Sequence, residues 1–118
     1  MAVVGSLNID FVVKCETRPK PGETIMGQYH NFIPGGKGAN QAVACARLGA
    51  HTHMIGRVGG DEFGRSLLAS LDQDGIDTTR IAIDHSVSSG VAFIAVDDAA
   101  ENTIIVIPGA NGQVGQPD

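Results

Sequence analysis

Apolar positions in the first two-thirds of the chain alternate between strand patterns and helix patterns. Short runs of branched apolar residues predict buried strands, and small or leucine-rich residues at helical spacing predict amphipathic helices. The predicted elements are, in order, a strand at 2–4, a helix at 38–48 that stops at Gly49, a strand at 51–58, a helix capped by Asp61 that stops at Gly75, and a strand at 81–83. This order is typical of a parallel sheet with crossover helices.

Four further segments are predicted to be extended. Residues 11–15 form a short apolar strand, and residues 23–33 follow a proline-rich turn with apolar positions among polar neighbours. Residues 90–96 and 103–107 are rich in Val and Ile, and a polar loop joins them. The last two segments therefore predict a β-hairpin rather than another β-α unit.

Composition narrows the class of protein. A chain of 118 residues, 42% hydrophobic, can build one small domain or part of a larger one. The net charge of −5 argues against a nucleic-acid partner or an anionic membrane surface. Cys15 and Cys45 form no metal or redox motif, which favours reduced thiols and a cytoplasmic protein. The N-terminus does not resemble a signal peptide, and no apolar run is long enough to span a membrane.

The glycine-rich segment from Pro34 to Gln41 precedes the first predicted helix. A Walker A loop requires Ser or Thr after Gly-Lys, but Gly38 stands there. A dinucleotide fingerprint beginning at Gly36 would require Gly or Ala where Gln41 stands. What remains is a loop for a neutral polyol or a weak anion, with Lys37 and Asn40 as donors. An ordinary helix start with glycine turns explains the residues equally well.

Asn8 and Asp10 follow the first predicted strand, and their spacing of two puts both side chains on one side of an extended chain. A carboxylate accepts hydrogen bonds from hydroxyl groups, and an amide both donates and accepts, so the pair suits a diol. A turn followed by an exposed strand end is the alternative. His51 and His53 lack a third ligand, and Asp97, Asp98 and Glu101 are typical of a solvated hairpin tip, so no metal site is predicted.

An ordered set of motifs runs along the whole chain. They are Gly5-Ser6-Leu7-Asn8-Ile9-Asp10, Pro21-Gly22-Glu23-Thr24, Gly35-Gly36-Lys37-Gly38-Ala39-Asn40-Gln41-Ala42, Ala46-Arg47-Leu48-Gly49-Ala50, Gly56-Arg57-Val58-Gly59-Gly60-Asp61-Glu62-Phe63-Gly64, Gly75-Ile76-Asp77, Ser89-Gly90-Val91-Ala92 and Gly109-Ala110-Asn111. Together they resemble the PfkB family of carbohydrate kinases, and within it the ribokinases. The resemblance implies that residues 1–118 are the N-terminal portion of one α/β domain with an incomplete Rossmann-like ribokinase fold.

The resemblance also implies a small β-sheet lid made of strands near 11–15, 23–33, 90–96 and 103–107. Lids of this kind pair across a homodimer. By the same resemblance a sugar, D-ribose or a similar one, would contact Asn8, Asp10, Gly36, Lys37, Gly38 and Asn40, and the lid would supply an apolar wall of Ala92, Ile94 and Val106.

The catalytic part of the family pattern is missing from these residues. Members of the family carry their catalytic aspartate in a Gly-Ala-Gly-Asp motif, which does not occur here. The resemblance therefore implies no catalytic residue in this chain, and places the MgATP and monovalent-cation (K⁺) sites outside it. The parent protein would phosphorylate D-ribose at O5. Two alternatives remain: a non-catalytic sugar-binding or dimerisation module, and a kinase for another sugar or a nucleoside.

Overall fold

The computed structural model describes residues 1–114, in which seven strands form two sheets. The strands are β1 (Ala2–Val4), β2 (Asn8–Lys14), β3 (Tyr29–Gly35), β4 (His53–Gly59), β5 (Ile81–Asp84), β6 (Gly90–Val96) and β7 (Asn102–Ile107). The helices are α1 (Lys37–Arg47), α2 (Glu62–Gln73) and a 3₁₀ helix at Gly109–Gln113. The predicted α/β class is confirmed, and the last four positions of the predicted domain lie outside the described residues.

The first sheet is parallel, with the order β1-β4-β5. Helix α2 connects β4 to β5, and α1 leads into β4, so both predicted helices are crossover elements. Gly49 and Gly75 follow the helices with positive φ values of 92° and 75°, as expected for glycines that end helices. The core lies between this sheet and the helices and includes Val3, Leu7, Ile9, Ala39, Ala42, Met54, Val58, Leu67, Leu71, Ile76 and Ile81.

The second sheet is the lid, with the order β3-β2-β6-β7. Strand β2 pairs antiparallel with β3 and parallel with β6, and β6 and β7 form the predicted hairpin. Strand β2 begins at Asn8 rather than at residue 11, because Asn8 is already in register with Gly35 and Gly90. Strand β3 begins at Tyr29 rather than at residue 23, because its partner β2 ends opposite it at Lys14.

The acidic residues at the lid tip are paired with cationic side chains. Arg18 donates through Nε to Asp97 at 3.1 Å and through Nη2 to Glu101 at 2.7 Å. Lys14 Nζ lies 2.9 Å from Asp98 Oδ1. These carboxylates therefore help to fix the tip of the hairpin to the preceding segment, and no group of three or more metal-ligating side chains occurs among the described residues.

Asp61 joins the parallel sheet, α2 and the lid through one carboxylate. Its Oδ1 accepts from the Gly64 amide at 2.8 Å and from the Ser89 hydroxyl at 2.7 Å, and its Oδ2 accepts from the Ser89 amide at 2.9 Å. Ser89 Oγ in turn accepts from the Gly59 amide at 2.9 Å. Burial raises the pKa of Asp61, but these hydrogen bonds outweigh burial and hold the pKa below its usual value.

We expect Asp61→Ala to lower the free energy of unfolding by about 1–2 kcal/mol, because it removes the cap of α2 and leaves the Ser89 amide unpaired.

The same carboxylate makes the stability depend on pH. Because the pKa of Asp61 is lowered in the folded state, its charged form stabilises the protein above the unfolded-state pKa, and this contribution disappears as pH falls through the folded-state value. Urea unfolding at neutral and at acidic pH measures both effects. Glu62→Ala, at the exposed neighbouring position, is the control, and an equal loss in both variants would contradict the prediction.

Candidate functional site

A cleft of about 510 Å³ opens where the lid meets the N-terminus of α1. Strand β2 contributes one wall, the first turn of α1 another, and the end of β7 with the 3₁₀ helix the third. The residues that line it are Ser6, Asn8, Asp10, Gly36, Lys37, Asn40, Ile104, Val106, Pro108 and Asn111. Polar groups of β2 and α1 therefore share the cleft with apolar residues of β7, which is the usual composition of a small-molecule site.

Asn8 and Asp10 lie on the same face of β2, as their spacing predicts, and both are half-buried. Burial raises the pKa of the Asp10 carboxyl. Among the described residues no hydrogen bond to the Asp10 carboxylate is formed, so its oxygens remain available as acceptors. Gly35 pairs with Asn8 in β3 and lies diagonal to Asp10, and a Cβ on it would come within 2.6 Å of Asp10 Oδ2. Glycine at this position therefore leaves room for the carboxylate.

The start of α1 supplies the donors of the cleft. Gly36 caps the helix with φ at 98°, and a Cβ on it would lie 2.6 Å from the Ser6 carbonyl oxygen, so the position requires glycine. Lys37 is the first helical residue, one position earlier than predicted. A helix N-terminus offers unpaired amides and a partial positive charge, to which Lys37 adds a full one. This corner suits an anion or a hydroxyl oxygen.

The cleft brings together most of the predicted site residues. Asn8, Asp10, Gly36, Lys37, Asn40 and Val106 all line it. Ala92 is 4% exposed and lies in the ladder between Asp10 and Val106, so it forms part of the sheet behind the cleft. Ile94 lies one step further along the same face, opposite Val12 and Ile104, and does not line the cleft.

Gly38 also stays outside the cleft, and its position has a different physical reason. It is buried, and a Cβ on it would lie 2.6 Å from the backbone of Gly5 and Ser6. Gly38 therefore lets α1 approach the turn between β1 and β2 closely. This approach brings the helix N-terminus next to Asn8.

Sequence reasoning did not predict Ser6, Ile104, Pro108 or Asn111 as site residues. Asn111 belongs to the Gly109-Ala110-Asn111 motif, to which the sequence alone assigns no role. Its side chain bonds to Leu7 and Asn8, more than 100 residues earlier in the chain. Nothing in the local sequence indicates a contact at such a separation.

The family model described as pfkB family carbohydrate kinase matches residues 1–117. The chain belongs to this family. A ribokinase from Bacillus subtilis is 43% identical to it over 114 residues, and a deoxyribokinase from Salmonella typhi is 40% identical over 111 residues.

Solved structures of PfkB proteins share the fold. The structure of a ribokinase from Arabidopsis thaliana, complexed with ribose and ATP, superimposes with a TM-score of 0.83 at 37% identity and covers 93% of this chain. The chain spans 39% of the length of the Bacillus ribokinase and 36% of the Arabidopsis chain. Among the described residues, no helix is long and apolar enough to cross a membrane.

Proposed function

We propose that this chain forms the sugar-binding and lid portion of a ribokinase, with D-ribose in the cleft between β2, α1 and β7. The observation that carries the proposal is the pair Asn8 and Asp10 on one strand face, opposite the N-terminus of α1. Asp10 is an acceptor without a partner among the described residues, and the helix start supplies donors. A vicinal diol can donate to Asp10 and accept from the helix start, because each hydroxyl both donates and accepts.

Each polar group has a defined task in this proposal. Asp10 accepts hydrogen bonds from ring hydroxyls, Asn40 and the Lys37 amide bind hydroxyl oxygens, and the Lys37 side chain provides a charge-assisted donor, whereas the Ala39 amide already donates to the Ser6 carbonyl oxygen. Ile104 and Val106 contact the apolar face of the sugar ring. A ligand that lacks one hydroxyl would leave a buried protein group unpaired, so discrimination between sugars can be strong.

Isothermal titration calorimetry with D-ribose on a monodisperse, folded sample tests this binding. We expect saturable heat with ribose and none with a polyol that lacks the matching hydroxyls. A titration without heat on demonstrably folded protein would reject the sugar site. Binding by the chain with no kinase activity in the whole protein would instead favour the non-catalytic module.

We further propose that phosphoryl transfer to O5 uses MgATP and a monovalent cation, both held by residues outside this chain. Support comes from the ribose and ATP complex of the Arabidopsis relative. The described residues contain no cluster of metal-ligating side chains, so no step through these groups is assigned to them. Reading the gene beyond the codon for Asp118 is a direct test, because a kinase would continue to a Gly-Ala-Gly-Asp motif.

Deoxyribose is the second candidate substrate, and the deoxyribokinase at 40% identity is the reason to consider it. Ribose and deoxyribose differ by one hydroxyl. A site selective for ribose would therefore use that hydroxyl to give both Asp10 and Asn8 a hydrogen-bond partner. A panel of ribose, deoxyribose, fructose and nucleosides, assayed with the whole protein, decides between them. Ribose must rank first by kcat/KM for the ribokinase proposal to stand.

We propose that the aromatic face of the lid is covered by the lid of a second copy. On this face Phe11 stacks on Phe93 and contacts Phe32 at a tilted angle, and Phe32 is 59% and Phe93 43% exposed. Such a contiguous aromatic surface on a sheet is typical of an interface. We expect Phe32→Asp to convert a dimer into a monomer, measured by light scattering, whereas Met26→Asp, at a position that is 91% exposed, should not. A wild-type monomer at high concentration would contradict the proposal.

A further inference from the structure

The side-chain amide of Asn111 forms hydrogen bonds with the Leu7 backbone and with the Asn8 side chain, at the junction between β1 and β2. Leu7 N donates to Asn111 Oδ1 at 3.0 Å, and Asn111 Nδ2 donates to the Leu7 carbonyl oxygen at 3.0 Å. The same Nδ2 donates to Asn8 Oδ1 at 2.7 Å. The side chain therefore pairs with Leu7 as a neighbouring strand would, and it also contacts a residue that lines the cleft.

These contacts determine which way both amides point. A backbone N–H can only donate and a backbone carbonyl can only accept, so Leu7 forces Asn111 Oδ1 to one side and Nδ2 to the other. Nδ2 can only donate, so the Asn8 atom that faces it must be the acceptor Oδ1. Asn8 Nδ2 is then left as the group available to a ligand. Among the described residues it forms no hydrogen bond with the protein.

Gly90 provides the space for this arrangement. It lies opposite Asn8 in the β2–β6 ladder, and a Cβ on it would collide with both Asn111 Nδ2 and Asn8 Oδ1. The lid strand β6 thus begins with a residue that allows the two amides to meet.

We propose that Asn111 is a positioning residue that fixes Asn8 as a pure hydrogen-bond donor toward the sugar. The inference rests on the proposed sugar site and adds a rule for its specificity. Asn8 requires an acceptor on the ligand, whereas Asp10 requires a donor. A hydroxyl satisfies either residue, but fluorine, which only accepts, satisfies Asn8 and not Asp10.

The test uses the full chain and ribose analogues in which each ring hydroxyl in turn is replaced by fluorine or by hydrogen. With wild type, the fluorine analogue should bind more tightly than the hydrogen analogue at one ring position, the one that faces Asn8. In Asn111→Asp, Asn8 must turn its Nδ2 toward the new carboxylate and present Oδ1 to the ligand. The preference for fluorine over hydrogen should then disappear or reverse at that position.

We expect Asn111→Asp to weaken ribose binding by about tenfold, the size of one mispaired buried group. Asn102→Asp, which adds the same charge at an exposed end of β7, is the matched control and should retain both the affinity and the fluorine preference. A role for Asn111 in folding alone would lower affinity for all analogues in proportion. An unchanged ratio between fluorine and hydrogen analogues would therefore overturn the inference, even if ribose still binds.

Asn8→Asp provides a second variant in case Asn111→Asp does not fold. It keeps an acceptor for Asn111 Nδ2 but presents an acceptor to the ligand, so it should lose the fluorine preference as well. In the wild type, ¹⁵N NMR should show the side-chain NH₂ signal of Asn8 shifting when ribose saturates the site. A shift of the Asn111 signal with none at Asn8 would overturn the inference, and the absence of any ribose binding would reject the sugar site itself.

Discussion

Gly38→Ala is expected to lower the free energy of unfolding by about 3 kcal/mol, the upper part of the usual range for overpacking. The added Cβ would lie 2.6 Å from Gly5 Cα, Gly5 C and Ser6 N. These are backbone atoms, so they cannot rotate away as a side chain would, and α1 has to move off the β1–β2 turn. Urea unfolding followed by circular dichroism measures the loss.

The matched control for this change is Gly112→Ala. Among the residues that the structure describes, a Cβ at Gly112 would have one neighbour within 4 Å, Pro108 Cβ at 3.8 Å, which is an ordinary contact. Gly5→Ala reaches the same interface from the other side, with Gly38 Cα at 2.8 Å. Because the two substitutions disturb one contact, their effects should be less than additive. Equal stabilities of Gly38→Ala and Gly112→Ala would show that the close approach is not required.

Asp10→Asn is expected to weaken D-ribose binding by about 1–3 kcal/mol, roughly 5- to 150-fold in Kd, because an amide cannot replace both acceptor oxygens. The fold should not suffer. Burial raises the pKa of Asp10, so its charged form is disfavoured in the folded protein, and removing the charge costs no stability at neutral pH. Calorimetric titration together with urea unfolding separates the two effects.

The pH dependence of binding identifies the same carboxylate. In wild type, ribose affinity should fall as pH decreases through the raised pKa of Asp10, beginning above the pH expected for an ordinary aspartate. In Asp10→Asn the affinity should stay level over that range. Asp98→Asn, at the exposed lid tip, removes the same charge and should behave as wild type. An unchanged ribose affinity in Asp10→Asn would show that Asp10 does not bind the ligand.

Local patterns predicted an element well where residues within or next to that element define it. Small residues at helical spacing and a following glycine define α1, and the Asp61 cap defines the start of α2. The bounds of β2 and β3 were less accurate, because a strand extends only as far as its partner. Asn8 is a strand residue because it pairs with Gly35 on one side and with Gly90 on the other, which no local pattern reveals.

The sequence by itself determined the α/β class, the family motifs and the pairing of Asn8 with Asp10 on one side of a strand. These depend on residue spacing, which is local. Only the tertiary structure decided that Gly38 packs against Gly5 outside the cleft and that Asn111 reaches Leu7 and Asn8. It also decided which end of the Asn8 amide faces the cleft. All three depend on groups that are distant in sequence and meet only in the folded protein. Helix α1 packs against the β1–β2 turn, and the 3₁₀ helix brings Asn111 to Leu7, whose backbone donor and acceptor allow only one orientation of the amide.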